Sequence, residues 1–89
     1  MSDLPDRYRH VDIVTMILSA IADVAPELEP ELADLAHDVD FWRELQLDSM
    51  DLLAVMTRLS EQTGVDITER NYPHLTTINS LRDFLARAT

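Results

Sequence analysis

Asp48 and Ser49 set an acidic side chain beside a hydroxyl, just ahead of an apolar stripe at Leu52, Val55, Met56 and Leu59. Those four recur at i, i+3, i+4 and i+7, one face of an α-helix. The stretch before them, Pro26 to Leu47, is long, acidic and weakly periodic. A hydroxyl where a long loop meets a helix is exposed, and it faces the free N–H groups of the first turn. Those donors and the helix dipole favour an anion, so a phosphodiester built on Ser49 would be well placed. The same pair also suits a plain helix cap. The two uses are compatible.

Other chemistries find less support. His10, His37 and His74 are scattered, without the paired spacing of metal ligands. Asp38-Val39-Asp40 resembles the opening of a calcium loop, but the sixth position is Arg43 instead of Gly and the twelfth is Ser49 instead of Glu. A structured calcium site is excluded; loose cation binding by the acidic cluster stays open. No Gly-x-Ser-x-Gly elbow surrounds Ser49 and no histidine lies near it in sequence, so self-contained nucleophilic catalysis is not expected. Gly64 is the only glycine, which removes a glycine-rich phosphate loop. The chain has no cysteine, hence no disulfide, thiolate metal site or cysteine nucleophile.

Length and charge narrow the field further. The 89 residues are expected to form a single domain, 1–89. Hydrophobic residues make up 46%, and the scarcity of glycine points to helices. The net charge is −10, and the segment from Glu27 to Asp51 holds nine acidic residues against one base, Arg43. That excess disfavours nucleic acid and anionic membranes as partners. It attracts basic protein patches, with an attraction that salt weakens. The apolar run Val11 to Ile21 is broken by Asp12, Thr15 and Ser19, so no membrane span is expected. The N-terminus carries Asp3 and Asp6 and lacks a signal-peptide layout, which makes the cytoplasm the default location.

The elements that must position Ser49 follow from periodicity. A first helix begins between Pro5 and Val11, carries the stripe Val11, Val14, Ile17, Leu18 and Ile21, and stops near Ala25 because Pro26 follows. In the long connection, Pro30 opens a turn that carries Leu32 and Leu35, and Phe41, Trp42 and Leu45 are further anchors. Connections this long in small domains are commonly functional. A second helix runs from Ser49 to about Thr63, with Gly64 just past its end. Val65 and Ile67 tuck inward from an extended step. Thr68 to Tyr72 form a short helical turn closed by Pro73. Thr76 or Thr77 caps the last helix, whose inner face is Ile78, Leu81, Phe84 and Leu85. The fold class is all-α: three main helices, one short one and a long first loop.

The segment Phe41-Trp42-Arg43-Glu44-Leu45-Gln46-Leu47-Asp48-Ser49-Met50-Asp51-Leu52-Leu53 resembles the pantetheine-attachment region of acyl carrier proteins. The likeness continues at Gly64-Val65-Asp66-Ile67 and Thr76-Thr77-Ile78. It implies a four-helix carrier bundle in which a pantetheinyl transferase moves 4′-phosphopantetheine from coenzyme A onto the Ser49 hydroxyl. The arm's thiol then holds an acyl group as a thioester. The protein would do no chemistry itself; it would present its cargo to enzymes of fatty-acid, polyketide or modified-lipid biosynthesis that carry basic docking patches. By the same resemblance Asp48 helps the transferase engage, Met50 contacts partners, and Asp51 and Glu61 match acidic positions of the recognition helix. Leu53 lies toward the Met50 side. Arg58 is either a partner of Glu61 at i+3 or a solvated charge, and it marks a specificity different from the housekeeping fatty-acid carrier's. Tyr72 and His74 are packing and surface residues or line the acyl chain. The family commonly has glycine two residues before the aspartate, where this chain has Gln46. A specialised, stand-alone, monomeric carrier is the expectation. A peptidyl or D-alanyl carrier shares the attachment chemistry, and an acidic interaction module with Ser49 as a mere cap is the competing class.

Overall fold

Ile13, Ile17, Ala20 and Ile21 make the buried face of α1 (Val11–Val24) in the computed structural model, which describes residues 11–88, the side chains of Val11 and Asp12 excepted. The stripe is rotated from the expected one. Ile17 and Ile21 are central, Ile13 and Ala20 join them, and Val14 and Leu18 flank the core half-buried. An all-apolar helix offers several stripes, and the packing partner chooses among them. Most of the window expected for the start of this helix, and His10, lie outside the described residues. Its end is as expected: Ala25 leaves helical geometry at φ −134° ahead of Pro26.

The long connection is more ordered than its periodicity suggests. A 3-10 turn at Pro26–Leu28 runs into α2 (Glu29–Leu32), so the turn opens at Pro26 and not at Pro30. Leu32 is buried and Leu35 half-buried. A second short helix, α3 (Phe41–Glu44), buries Phe41. Helices of four residues are too short to leave a periodic signature. Two backbone hydrogen bonds tie this region to the start of the last helix: Phe41 N–H donates to Thr76 O at 2.9 Å, and Asn79 N–H to His37 O at 3.0 Å.

The helix that follows, α4 (Ser49–Thr63), matches the expected bounds and buries Leu52, Val55, Met56 and Leu59. It stops at Gly64, whose φ of 75° is left-handed and disfavours any side chain. The exit is pinned twice more: Ser60 Oγ donates to Val65 O at 2.7 Å, and Val65 N–H donates to Thr63 Oγ1 at 3.1 Å. Val65 is buried and Ile67 half-buried.

Thr68 and Asn71 close a capping box on a 3-10 helix spanning Glu69–His74. Pro73 lies inside that helix and does not end it, because its fixed φ suits 3-10 geometry. Thr77, not Thr76, caps α5 (Ile78–Ala88): Ser80 N–H donates to Thr77 Oγ1 at 3.0 Å, and Thr77 N–H to Ser80 Oγ at 3.2 Å. Ile78, Leu81 and Leu85 are buried, with Phe84 at the margin.

The architecture is therefore all-α. α1 packs against both α4 and α5, and one apolar cluster runs from Ile13 to Leu85. Among the described residues no polar or charged side chain is buried in it. None of the described helices is long and apolar enough to cross a membrane.

A Cβ at position 64 would meet nothing within 4 Å, so Gly64→Ala isolates the backbone term. It should lower unfolding free energy by about 1–2 kcal/mol, the cost of a left-handed non-glycine residue. Urea denaturation should show a lower midpoint at unchanged slope.

Candidate functional site

The position of Ser49 is built by the end of one helix and the start of the next. At the end of α3, Gln46 adopts φ 54°, the one left-handed non-glycine residue among those described. Gln46 N–H donates to Arg43 O at 3.1 Å and Leu47 N–H to Trp42 O at 3.0 Å. This pair is the Schellman arrangement, in which the left-handed residue is commonly glycine. The carrier family's glycine at this place thus has a backbone reason, and Gln46 occupies it under strain. The chain then enters α4 through Asp48, whose backbone is extended at φ −88°, ψ 176°. Asp48 Oδ1 accepts from Asp51 N–H at 2.8 Å, and Asp48 O accepts from Leu52 N–H at 3.0 Å. Asp48, not Ser49, is the cap.

Ser49 is left as the first residue of α4, exposed. Among the described residues nothing hydrogen-bonds its hydroxyl, and nothing accepts from the N–H groups of Ser49 and Met50. An unengaged hydroxyl beside two free donors, at the positive end of a 15-residue helix, fits a phosphodiester on its oxygen.

Met50 is 79% exposed and Leu53 51%, the two large apolar side chains most open to solvent among those described. Met50, Leu53, Ala54, Thr57 and Glu61 recur at i, i+3, i+4, i+7 and i+11, so they share the face of α4 opposite its buried stripe. Asp51 is half-buried on the shoulder of that face. Arg58 corrects the sequence reading: its Nη1 lies 3.8 Å from Asp23 Oδ2 of α1, and no ion pair to Glu61 forms. The helical spacing made Glu61 a neighbour, but the packing of α1 on α4 offers an acid from outside the helix, which sequence spacing does not reveal. Both partners are about half exposed, so the pair adds little stability. It does turn the single base of α4 toward α1.

Trp42 holds the turn against the rest of the fold. Its ring stands edge-to-face with Phe41 at 6.4 Å and with Tyr72 of the 3-10 helix at 5.8 Å. Burial, and secondarily the charge of Glu69, raises the Tyr72 phenol above its ordinary pKa, so it is neutral at physiological pH. His74 is exposed and borders a shallow groove with Leu75, Ser80, Asp83, Phe84, Arg87 and Ala88. Ser49 does not line that groove. Among the described residues no three His, Asp or Glu side chains converge on a metal-binding position.

With this geometry in place, comparison with known proteins is direct. The phosphopantetheine attachment site family matches residues 15–85, and the chain belongs to that family. That family is defined by covalent attachment of 4′-phosphopantetheine. The chain is similar to polyketide-8 synthase acyl carrier protein 2 of Streptomyces avermitilis, 29% identical over 62 residues that cover 70% of this chain and 71% of that one. It is also similar to a non-reducing polyketide synthase of Cercospora nicotianae, 27% identical over 75 residues, or 84% of this chain. The chain spans about 3% of that synthase's length. No solved structure matches the chain significantly.

Three substitutions at two positions test the local construction. Asp48→Ala should cost about 1 kcal/mol of stability through loss of the cap, whereas Asp48→Asn should cost a few tenths at most. Gln46→Gly should stabilise by about 0.5–1 kcal/mol, since relief of left-handed strain exceeds the entropy that glycine adds. Chemical denaturation of the three variants beside the parent measures both.

Proposed function

We propose that Ser49 is the residue that carries the arm and that the chain acts as a carrier domain for polyketide-type acyl chains. The observation that supports the site most directly is the free Ser49 hydroxyl between the Asp48 cap and the open N–H groups of the first turn of α4. When bound, the arm supplies a terminal thiol, a group this cysteine-free chain lacks. The chain's own part is to present and to be recognised. In attachment, Ser49 Oγ takes the phosphopantetheinyl phosphoryl group of coenzyme A, its proton leaves, and the adenosine bisphosphate portion departs. A separate transferase provides the base.

Recognition falls to the outer face of α4. Met50 and Leu53 offer exposed apolar contact, and desolvated apolar anchors carry most of the energy of a small interface. Asp48, Asp51 and Glu61 surround them with negative charge, while Arg58 is drawn aside to Asp23. The complementary partner is an acyl-processing enzyme with a basic rim around a small apolar pocket, and rim charges mainly set the association rate. Both similar proteins are polyketide synthase proteins by name, which favours acyl over aminoacyl or peptidyl cargo. We read residues 1–89 as one such carrier domain, without catalysis of its own, working as a monomer. Coenzyme A is an intracellular metabolite, so the cytoplasm is where the arm would be attached.

Intact mass after incubation with coenzyme A, magnesium and a promiscuous pantetheinyl transferase should rise by one phosphopantetheinyl group. Ser49→Ala should abolish that gain while the helical circular dichroism stays intact. A gain that survives in Ser49→Ala would move the site elsewhere. Met50→Asp should weaken transferase turnover through KM by roughly tenfold, the worth of one apolar anchor of about 1.4 kcal/mol. Added salt should slow turnover of the parent in the same assay.

A further inference from the structure

Trp42 is the only tryptophan, and its indole Nε1 is the one buried side-chain polar atom without a hydrogen-bond partner among the described residues. Leaving such a donor unpaired is costly, and native folds rarely leave one unpaired. The ring faces beside it, those of Phe41 and Tyr72, are at best weak acceptors. Trp42 as a whole is half-buried, while its Nε1 is buried. Its place in the fold is specific. The Trp42 carbonyl accepts from Leu47 N–H in the turn that delivers Asp48 and Ser49, and the Trp42 ring abuts Tyr72 of the 3-10 helix. Trp42 therefore joins the turn that positions Ser49 to the 3-10 helix, and the orphan donor belongs to that junction.

An indole N–H donates and cannot accept. Its missing partner is an oxygen with lone pairs. An arm attached at Ser49 brings such oxygens: amide carbonyls along its length, a thioester carbonyl at its end, and ketones further out when the cargo is oxidised. We propose that the Trp42 indole N–H is a receptor for a carbonyl oxygen of the arm or of the acyl group the arm bears. The proposal rests on attachment at Ser49. It gives Trp42 a positioning role: the side chain docks the swinging group against the turn and withdraws one carbonyl from solvent. A cargo rich in carbonyls engages such a donor where a saturated chain has nothing to offer.

The test uses the full chain labelled with 15N at tryptophan, whose spectrum contains one indole N–H. Intact mass first establishes loading at each stage, so a chain that takes up no arm refutes the attachment reading before the indole is consulted. The indole proton is then followed through the unmodified, arm-bearing, saturated-acyl and 3-oxoacyl forms. The expected result is a downfield move together with exchange against water slowed about fivefold, the factor a hydrogen bond of ordinary strength represents. A move on arm attachment assigns the acceptor to an arm amide, one at the saturated-acyl stage to the thioester, and one confined to the 3-oxoacyl form to the cargo ketone. Ser49→Ala, treated identically, should give an unmoved indole. An indole proton that keeps its position through all four forms, or moves without slowed exchange as mere packing would cause, overturns the proposal.

Discussion

Two backbone hydrogen bonds, Leu47 to Trp42 and Gln46 to Arg43, hold the reversal on which the exposure of Ser49 depends. They end α3 and swing the chain so that Asp48 arrives extended, with its carboxylate over the Asp51 N–H. If α3 ran one residue further, the cap would be misplaced and the serine would move off the helix end. The cost of holding this reversal is concentrated at Gln46, a side chain in left-handed backbone. Asp40 at the head of α3 and Thr76 beyond the 3-10 helix fix the other side of the turn, through the Asp40 carboxylate on Arg43 N–H and the Phe41 to Thr76 bond. A site made of one exposed hydroxyl thus draws on contacts reaching as far as the start of α5.

Much of this was legible in the sequence, for identifiable reasons. The bounds of α4 could be read because an aspartate cap, an i, i+3, i+4, i+7 stripe and a terminal glycine all agree. A threonine cap and the apolar face of α5 were legible from cap and stripe, although the sequence left Thr76 and Thr77 both open. The face of α1 was less so, because Val14 and Leu18 are as apolar as Ile13 and Ala20, and only the packing of α4 and α5 separates them. The short helices of the first connection carried no period to detect, although Asp40 before Phe41 is itself a capping signal. Of the candidate site, Ser49, Asp48 and Met50 were singled out by type and spacing, and all three lie exposed at the start of α4. The pairing of Arg58 with Asp23 could not, since it joins residues 35 apart through tertiary packing. The unpaired indole of Trp42 is likewise a property of the assembled fold.

Charge and apolarity are segregated in a way that suits a protein handled by others. Polar and charged side chains stay out of the described core, and the acidic surplus of the Glu27–Asp51 segment is carried on exposed or half-buried positions. Under the proposed reading, negative charge would steer encounter with basic surfaces from a distance, while Met50 and Leu53 would supply the short-range contact once docked. Encounter and release would then be governed by different residues.

The two faces of α4 share no residue. Leu52, Val55, Met56 and Leu59 answer to the interior, and Met50, Leu53, Ala54, Thr57 and Glu61 are exposed to solvent. Drift on one side leaves the other untouched. If that outer ridge is where enzymes dock, as proposed, a lineage can rewrite which enzymes it serves by point changes along it, and duplicated copies of such a chain can diverge in allegiance while their architecture stands still.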